Sequence, residues 1–82
     1  MILNNLRIYL NNNSYNINLS KNQLYLNNYN KIDIINEKNI SIMFDEFVFK
    51  AYGLNIKVIK MVDKEILFNG LIESIKIIPI ND

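Results

Sequence analysis

Few residue types in this chain can take part in chemistry at neutral pH. The sequence has no histidine and no cysteine, so it lacks the usual base of a nucleophilic triad and the usual nitrogen and sulfur ligands of zinc. Gly53 and Gly70 are its only glycines, which is too few for a glycine-rich phosphate loop. The sequence therefore predicts a protein that is not an enzyme and uses no cofactor or metal.

Carboxylates are the remaining candidates for acid–base chemistry or for binding a hard cation. Asp45 and Glu46 are adjacent, and such a pair can serve as acid and base or contribute to a Ca²⁺ site. They share the predicted turn regions with Asp33 and Glu37, where solvated carboxylates are common. A second group has no better spacing: Asp63, Glu65 and Glu73. We interpret all of them as solvated side chains.

Tyrosines offer a different chemistry, because aromatic rings on a sheet can stack on nucleobases. A nucleic-acid binder also needs a basic face or arm, whereas this chain has a net charge of +1 and no basic stretch. We therefore interpret the tyrosines as half-buried side chains on sheet surfaces and predict no nucleic-acid partner. They are Tyr9, Tyr15, Tyr25, Tyr29 and Tyr52.

Short apolar–polar alternations fill the chain, and polar turn residues separate them. Ile17 and Leu19 alternate with asparagines, Ile32 and Ile34 flank an aspartate, and an alternating segment begins at Leu6 and ends at Leu10. A turn signal about every eight to ten residues is typical of all-β folds. The sequence predicts one domain, residues 1–82, with about eight or nine short, mostly antiparallel strands. A sandwich, a roll, a barrel and a solenoid all remain open.

Residues 47–77 carry the strongest local signals. Asn69-Gly70 lies between two strand-like segments, and Asn-Gly is the preferred pair for a type I′ turn, so we predict a hairpin turn there. Ile66 and Phe68 share the core face of its first arm by period two. Gly53 precedes another alternating segment and predicts a turn or bulge.

The isoleucines after the predicted hairpin turn do not follow a simple period of two. Ile72 is three residues before Ile75, and Ile77 follows two residues later. A bulge near Glu73-Ser74 would place all three isoleucines on the core side.

The two halves of the chain differ in what they direct away from the core. Outward positions in the first half are polar. In the second half they include Met43, Val48, Ile59, Leu67, Leu71, Ile78 and Ile80. Strands that are apolar on both faces need cover on both. Either another subunit or a partner covers the second face, or the N-terminal strands cover it within a compact sandwich.

Size also favours assembly. A domain of 82 residues buries only about 60% of the surface that its unfolded chain exposes. Without cysteine or histidine, oligomerisation is the remaining common source of stability. We expect a homo-oligomer or a protein scaffold as partner, and we expect the apolar residues of the last strands to form the interface. These candidates are Ile59, Leu67, Ile75, Ile77, Ile78 and Ile80.

The cellular location is indicated only indirectly. The N-terminal residues have no basic region followed by a long apolar segment, so we predict no secretory signal. No apolar run approaches 18 residues, so we predict no membrane span. The absence of cysteine fits a reducing compartment, and we expect a cytoplasmic protein.

Several segments together resemble the YabP/YqfC family of sporulation proteins. They are NQLYLNNYNKI at 22–32, ISI at 40–42, GLNI at 53–56 and ILFNGLIESIKI at 66–77. The family's closing pattern, Ile-x-x-x-Gly-x-Ile-x-x-Ile, is matched from Ile66 to Ile75. The middle pattern departs from the family, because Ala51 stands where its glycine is expected and Gly53 directly precedes Leu54. The resemblance covers residues 17–77.

The resemblance implies a non-enzymatic factor of spore coat or envelope morphogenesis that acts in the cytoplasm of the mother cell or forespore. It also implies a possible membrane-protein partner and no catalytic residues. The shared positions would set the fold: Gly53, Leu54, Ile56, Asn69, Gly70, Ile72 and Ile75. Two alternatives remain, a small structural subunit of a phage or other filament, and a monomeric module that binds a peptide or nucleic acid.

Overall fold

The computed structural model describes residues 8–11 and 15–80, whose only regular elements are seven β-strands. They are β1 (Ile8–Asn11), β2 (Asn16–Ser20), β3 (Gln23–Asn27), β4 (Lys31–Ile35), β5 (Asn39–Met43), β6 (Phe47–Val62) and β7 (Glu65–Pro79). They form one sheet in the order β1-β2-β3-β7-β6-β5-β4, and every neighbouring pair is antiparallel. The all-β, antiparallel prediction is confirmed. The predicted sandwich and solenoid arrangements are wrong, because the strands form one continuous antiparallel sheet.

The strand count is below the predicted eight or nine because β6 and β7 are long, with 16 and 15 residues. The predicted hairpin turn at Asn69-Gly70 is wrong, since both residues lie inside β7. The chain reverses instead at Asp63 and Lys64, whose φ angles are 21° and 66°. Positive φ at both central residues is what a tight two-residue hairpin requires. The Asn-Gly pair therefore does not form a turn; its glycine lies where the backbones of β6 and β7 approach closely.

The sheet folds back on itself. Asn16 of β2 pairs with Asn27 of β3, which in turn pairs with Glu65 near the start of β7. Phe47 of β6 pairs with Pro79 at the end of β7. In a flat sheet these two positions would lie about 45 Å apart along β7, at about 3.3 Å per residue. However, the rings of Tyr15 and Phe47 are 5.2 Å apart, and the longest dimension of the molecule is 32 Å. β6 and β7 must therefore bend between these positions.

The bend lies at the two glycines. The β6–β7 register shifts beside Gly53 and again between Leu54 and Lys57. A Cβ on Gly53 would lie 1.9 Å from the carbonyl oxygen of Leu71. Gly70 has φ 142°, and its Cβ would lie 2.7 Å from the Cα of Ile56. Both positions thus exclude a side chain because the backbones of the two strands approach closely there.

Bending lets the two halves of the sheet share one core. Its buried members come from the strands on both sides of the bend and from the turns: Ile17, Leu19, Leu24, Leu26, Tyr29, Ile40, Ile42, Phe44, Phe47, Phe49, Ala51, Ile56, Ile66, Phe68, Ile72 and Ile75. Tyr15, Phe44 and Phe47 form a ring cluster with centroids 4.9 to 5.4 Å apart. β2 and β3 therefore cover the inner face of the second half.

The predicted bulge in β7 is confirmed. Tyr52 pairs with Ser74 and Gly53 pairs with Ile72, which leaves Glu73 without a register partner. The extra residue brings both Ile72 and Ile75 into the core. The core-side position expected for Ile77 is also confirmed, although the side chain is not buried. It lies opposite buried Phe49 and hence on the core side, but it is 41% exposed because β3 runs beside only the first part of β7.

A second bulge changes the prediction for β4. Ile32 pairs with Ile42 and Ile34 pairs with Ser41, so Asp33 is the extra residue. Ile32 and Ile35 pack against the core, whereas Ile34 is exposed. The expected common face for Ile32 and Ile34 is therefore wrong, because the bulge interrupts the period of two. Asp33 also lies in a strand rather than in a turn.

Candidate interaction surface

The outer side of β4 to β7, facing away from the core, carries large apolar side chains among polar ones. Directly opposite residues of paired strands project to the same side, and the register places Met43, Val48 and Ile78 in one row and Leu54 and Leu71 in another. We call this surface the apolar outer face. Its members are Ile34, Met43, Val48, Tyr52, Leu54, Leu71 and Ile78.

Most of the apolar outer face is accessible. Leu54 and Leu71, which are opposite each other, are 43% and 42% exposed, and Ile78 is 36% exposed. Lys50 lies opposite Lys76 on the same side, a like-charge pair that is mildly destabilising in isolation. The lysine pair lies between the Met43–Val48–Ile78 row and the Leu54–Leu71 pair, so a charged row divides the apolar side chains into two groups.

The outer side of the other half is polar. It carries the outward side chains of β2, β3 and the first part of β7: Asn16, Asn18, Ser20, Gln23, Tyr25, Asn27, Glu65, Leu67 and Asn69. We call this surface the polar outer face. Asparagine and serine there present amides and hydroxyls to water, so this face requires no cover.

A charged network holds one corner of the polar outer face. The hydroxyl of Tyr25 donates to Oε2 of Glu65 at 2.6 Å, and Nζ of Lys60 lies 3.0 Å from Oε1. The hydrogen bond from Tyr25, followed by the contact with Lys60, holds the pKa of Glu65 below its ordinary value. The same bond to the carboxylate is the main cause that raises the pKa of Tyr25.

β6 extends beyond the end of its pairing with β5, which leaves part of one strand edge unpaired in the described structure. β5 pairs with β6 only as far as Tyr52, and backbone bonds from Gly53 to Lys38 and from Ile56 to Glu37 continue that side. From residue 57 to residue 62, β7 is the only described strand that pairs with β6. We call residues 57–62 the β6 edge. Its exposed apolar side chains are Val58, Ile59, Met61 and Val62.

The structure does not bring the six predicted interface residues together. Ile78 lies on the apolar outer face and Ile59 on the β6 edge, while Leu67 is half-buried on the polar outer face. Ile75 is buried in the core and Ile77 is exposed on the core side. Ile80 follows β7, is exposed, and donates its backbone N–H to Glu46.

The predicted fold-setting residues occupy two kinds of position. Gly53 and Gly70 lie at the bend, and Ile56, Ile72 and Ile75 are buried. Leu54 and Asn69 are exposed instead. The sequence reasoning missed Leu54 as a surface candidate and, on the β6 edge, Val58, Met61 and Val62. The segment VIKMV at 58–62 was the available signal, because it is apolar at positions of both parities.

The carboxylates singled out by the sequence reach one open pocket. Asp45 and Glu46 line a cavity of about 180 Å³ together with Tyr15, Asn28 and Phe44. In the part of the chain that the structure describes, no three histidine, cysteine, aspartate or glutamate side chains lie close enough to hold a metal ion. Asp45 and Glu46 are therefore an isolated pair of carboxylates in the lining of this pocket.

Comparisons with known proteins give no relative. No family model, no curated protein and no solved structure matches the chain. Across residues 8–11 and 15–80, the structure contains no helix with the length and apolar character needed to cross a membrane. The surface must therefore be interpreted from its own geometry.

Proposed function

We propose that this protein is a non-enzymatic structural protein that assembles through its apolar outer face, either with further copies of itself or with a protein scaffold. One observation carries the proposal: most members of the apolar outer face are exposed, whereas Tyr25 and Leu67, the largest side chains of the polar outer face, are half-buried. Single exposed apolar residues are common on proteins. Leu54 beside Leu71 and Val48 beside Ile78 are instead grouped by the register, and grouped apolar residues mark binding surfaces.

Physical chemistry supports association rather than a hidden role in folding. The shared core is already closed, with Phe49 and Phe68 fully buried. Burial of the outer leucines and isoleucines would stabilise a complex by about 25 cal/mol for each Å² of apolar surface removed from water. A net charge of +1 gives little repulsion between copies.

We further propose endospore formation as the setting, with the protein in the cytoplasm of the mother cell or forespore. The sequence resemblance to the YabP/YqfC proteins at Ile66, Gly70, Ile72 and Ile75 supports this setting. A membrane-protein partner would be compatible with docking through the apolar outer face. A structural subunit of a phage or other filament is the competing role, since it would use the same face.

The test is the molar mass in solution, measured by light scattering across a dilution series of the wild type and of two variants. Ile78→Glu places a charge in the apolar outer face. Gln23→Glu places the same charge on the exposed part of the polar outer face and is the matched control. We expect the wild type and Gln23→Glu to gain mass with concentration, and Ile78→Glu to shift toward the monomer mass of 9.7 kDa.

Two results would contradict self-assembly through this face. If Ile78→Glu assembles as strongly as Gln23→Glu, the apolar outer face is not the contact. If the wild type stays monomeric at every concentration, the protein does not self-associate, and a pull-down from sporulating cells would then test for a scaffold. A monomer that captures no protein would favour the third role, a binding module.

A further inference from the structure

The β6 edge is a second surface, independent of the apolar outer face. An exposed strand edge presents backbone N–H and C=O groups that can pair with another strand. Proteins usually protect such edges with charges, bulges or short length. Here the edge has a bulge at Ile59 and lysines at positions 57 and 60, but four of its six residues are exposed and apolar.

Lys60, one of the two lysines on the β6 edge, forms an ion pair within the β6–β7 hairpin. Nζ of Lys60 lies 3.0 Å from Glu65, and Glu65 also accepts the hydrogen bond from Tyr25. The charge of Lys60 is thus partly balanced within the chain. Repulsion between two lysines that approach in the middle of paired edges is reduced accordingly.

The faces of the edge restrict how two copies can pair. Val58 and Met61 lie opposite Phe68 and Ile66, which are fully buried, so both project to the core side. Lys57, Lys60 and Val62 project to the outer side, opposite Asn69, Leu67 and Glu65.

A two-fold axis perpendicular to the sheet keeps core-side residues opposite core-side residues. An antiparallel register with Val58 opposite Met61 satisfies this condition, and it also sets Lys57 opposite Val62. A register with Val58 opposite Val62 does not.

We propose that the β6 edge pairs antiparallel with the β6 edge of a second copy, with Val58 of each chain opposite Met61 of the other. This register joins the core-side valines and methionines into one apolar row across the two-fold axis. It also sets Lys57 of each copy opposite Val62 of the other on the outer side, so that no two lysines are directly opposite. The inference rests on the proposed self-association and names one of its contacts.

The contact is expected to be weak. Two short strand edges bury less than the roughly 1,200 Å² of a standard stable interface, so the dimer should depend on concentration. Disulfide cross-linking can capture such a transient contact, because the covalent bond persists after the two copies would otherwise separate.

The chain has no cysteine, so engineered cysteines report without background. In the proposed register a cysteine at position 58 faces position 61 of the second copy. Two cysteines at position 58, or two at position 61, would be about 10 Å apart along the strands, beyond disulfide reach. We therefore expect a mixture of Val58→Cys and Met61→Cys to form disulfide-linked dimers several-fold more than either variant alone.

Leu71→Cys mixed with Met61→Cys is the matched control, because Leu71 is similarly exposed but lies on the apolar outer face. It should not exceed the single variants. Equal cross-linking in all mixtures would overturn the register. If the mixture fails to cross-link while the wild-type mass rises with concentration, the edge pairing is wrong and the proposed assembly survives. A wild type that stays monomeric at every concentration would overturn the edge pairing and self-association together, and would leave docking to a scaffold as the form of the proposed function still to be tested.

Discussion

The outer faces of the two halves of this sheet are built from different residues, although the same two strands run through both. Before the bend, β6 contributes Val48 and Tyr52 to the apolar outer face; on the other side of the bend, β7 contributes Glu65 and Asn69 to the polar outer face. The inner faces do not differ in this way, since both are fully apolar and share one core. The contrast is therefore confined to the surface.

This contrast shows that folding and surface composition are separate constraints in the chain. Folding requires that each half bury its inner face, and the bend at Gly53 and Gly70 achieves that by laying one half over the other. Nothing in folding requires the apolar outer face. Exposed leucines and isoleucines lower solubility, and the proposed binding role would account for this cost.

The largest expected effect comes from removing the bend that creates the two halves. Gly53→Ala would place a methyl group 1.9 Å from a backbone oxygen of Leu71, which the paired strand cannot relieve without breaking its register. We expect a loss of about 3 kcal/mol or more in the free energy of unfolding, measured by urea denaturation. Asn55→Gly is the control. Asn55 has φ 55°, which glycine adopts freely, so its stability should change by less than about 1 kcal/mol.

A loss for Gly53→Ala no larger than that of the control would mean that the two strands can separate at the bend. The halves would then not be held in one arrangement, and the distinction between inner and outer faces would be weaker than the structure indicates.

The next effect compares the two sides of β7 directly. Phe68 is fully buried, and Leu71 is 42% exposed on the apolar outer face. Phe68→Ala should cost about 3 to 5 kcal/mol, because it leaves a cavity in the core. Leu71→Ala in the monomer should change stability by about 0.5 kcal/mol or less. Thermal or urea unfolding at low protein concentration measures both. A large loss for Leu71→Ala in the monomer would show that the apolar outer face has a role in folding.

Much of the fold was predictable from alternation alone. The pattern correctly assigned Ile17 and Leu19 to the core, and it located the bulge beside Ser74 because Ile72 and Ile75 are three residues apart. The sequence pattern failed at Asn69-Gly70, because an Asn-Gly pair can have two different physical causes. Asn-Gly suits a tight turn, but a glycine is equally required where two backbones touch, and Gly70 is the second case.

The surface was harder to predict for a related reason. An aliphatic residue in a strand has the same sequence signal whether it faces a core or solvent. Ile77 lies on the core side, but no part of β3 runs beside it, and the length of β3 relative to β7 is a tertiary property. The β6 edge likewise exists because β5 ends its pairing at Tyr52. Neither fact follows from residue types.

The smallest expected effect is a change in the pKa of Glu65 on the polar outer face, which has no counterpart on the apolar outer face. Tyr25→Phe removes the hydroxyl that bonds the carboxylate of Glu65, so the pKa of Glu65 should rise toward its ordinary value. Carboxyl carbon shifts in an NMR titration measure this pKa. Tyr52→Phe, on the apolar outer face, is the control and should leave it unchanged.

The sign of the pH dependence follows from the two linked shifts. A lowered pKa for Glu65 contributes stability above its ordinary value of 4.5, and this is lost as the pH falls through the lowered pKa. A raised pKa for Tyr25 contributes stability below 10.0, and this is lost as the pH rises through the raised pKa. The stability difference between wild type and Tyr25→Phe should therefore be greatest between these limits and shrink at both ends. A difference that is constant with pH would mean that the hydroxyl acts through packing alone, and that the polar outer face is not organised by this charged network.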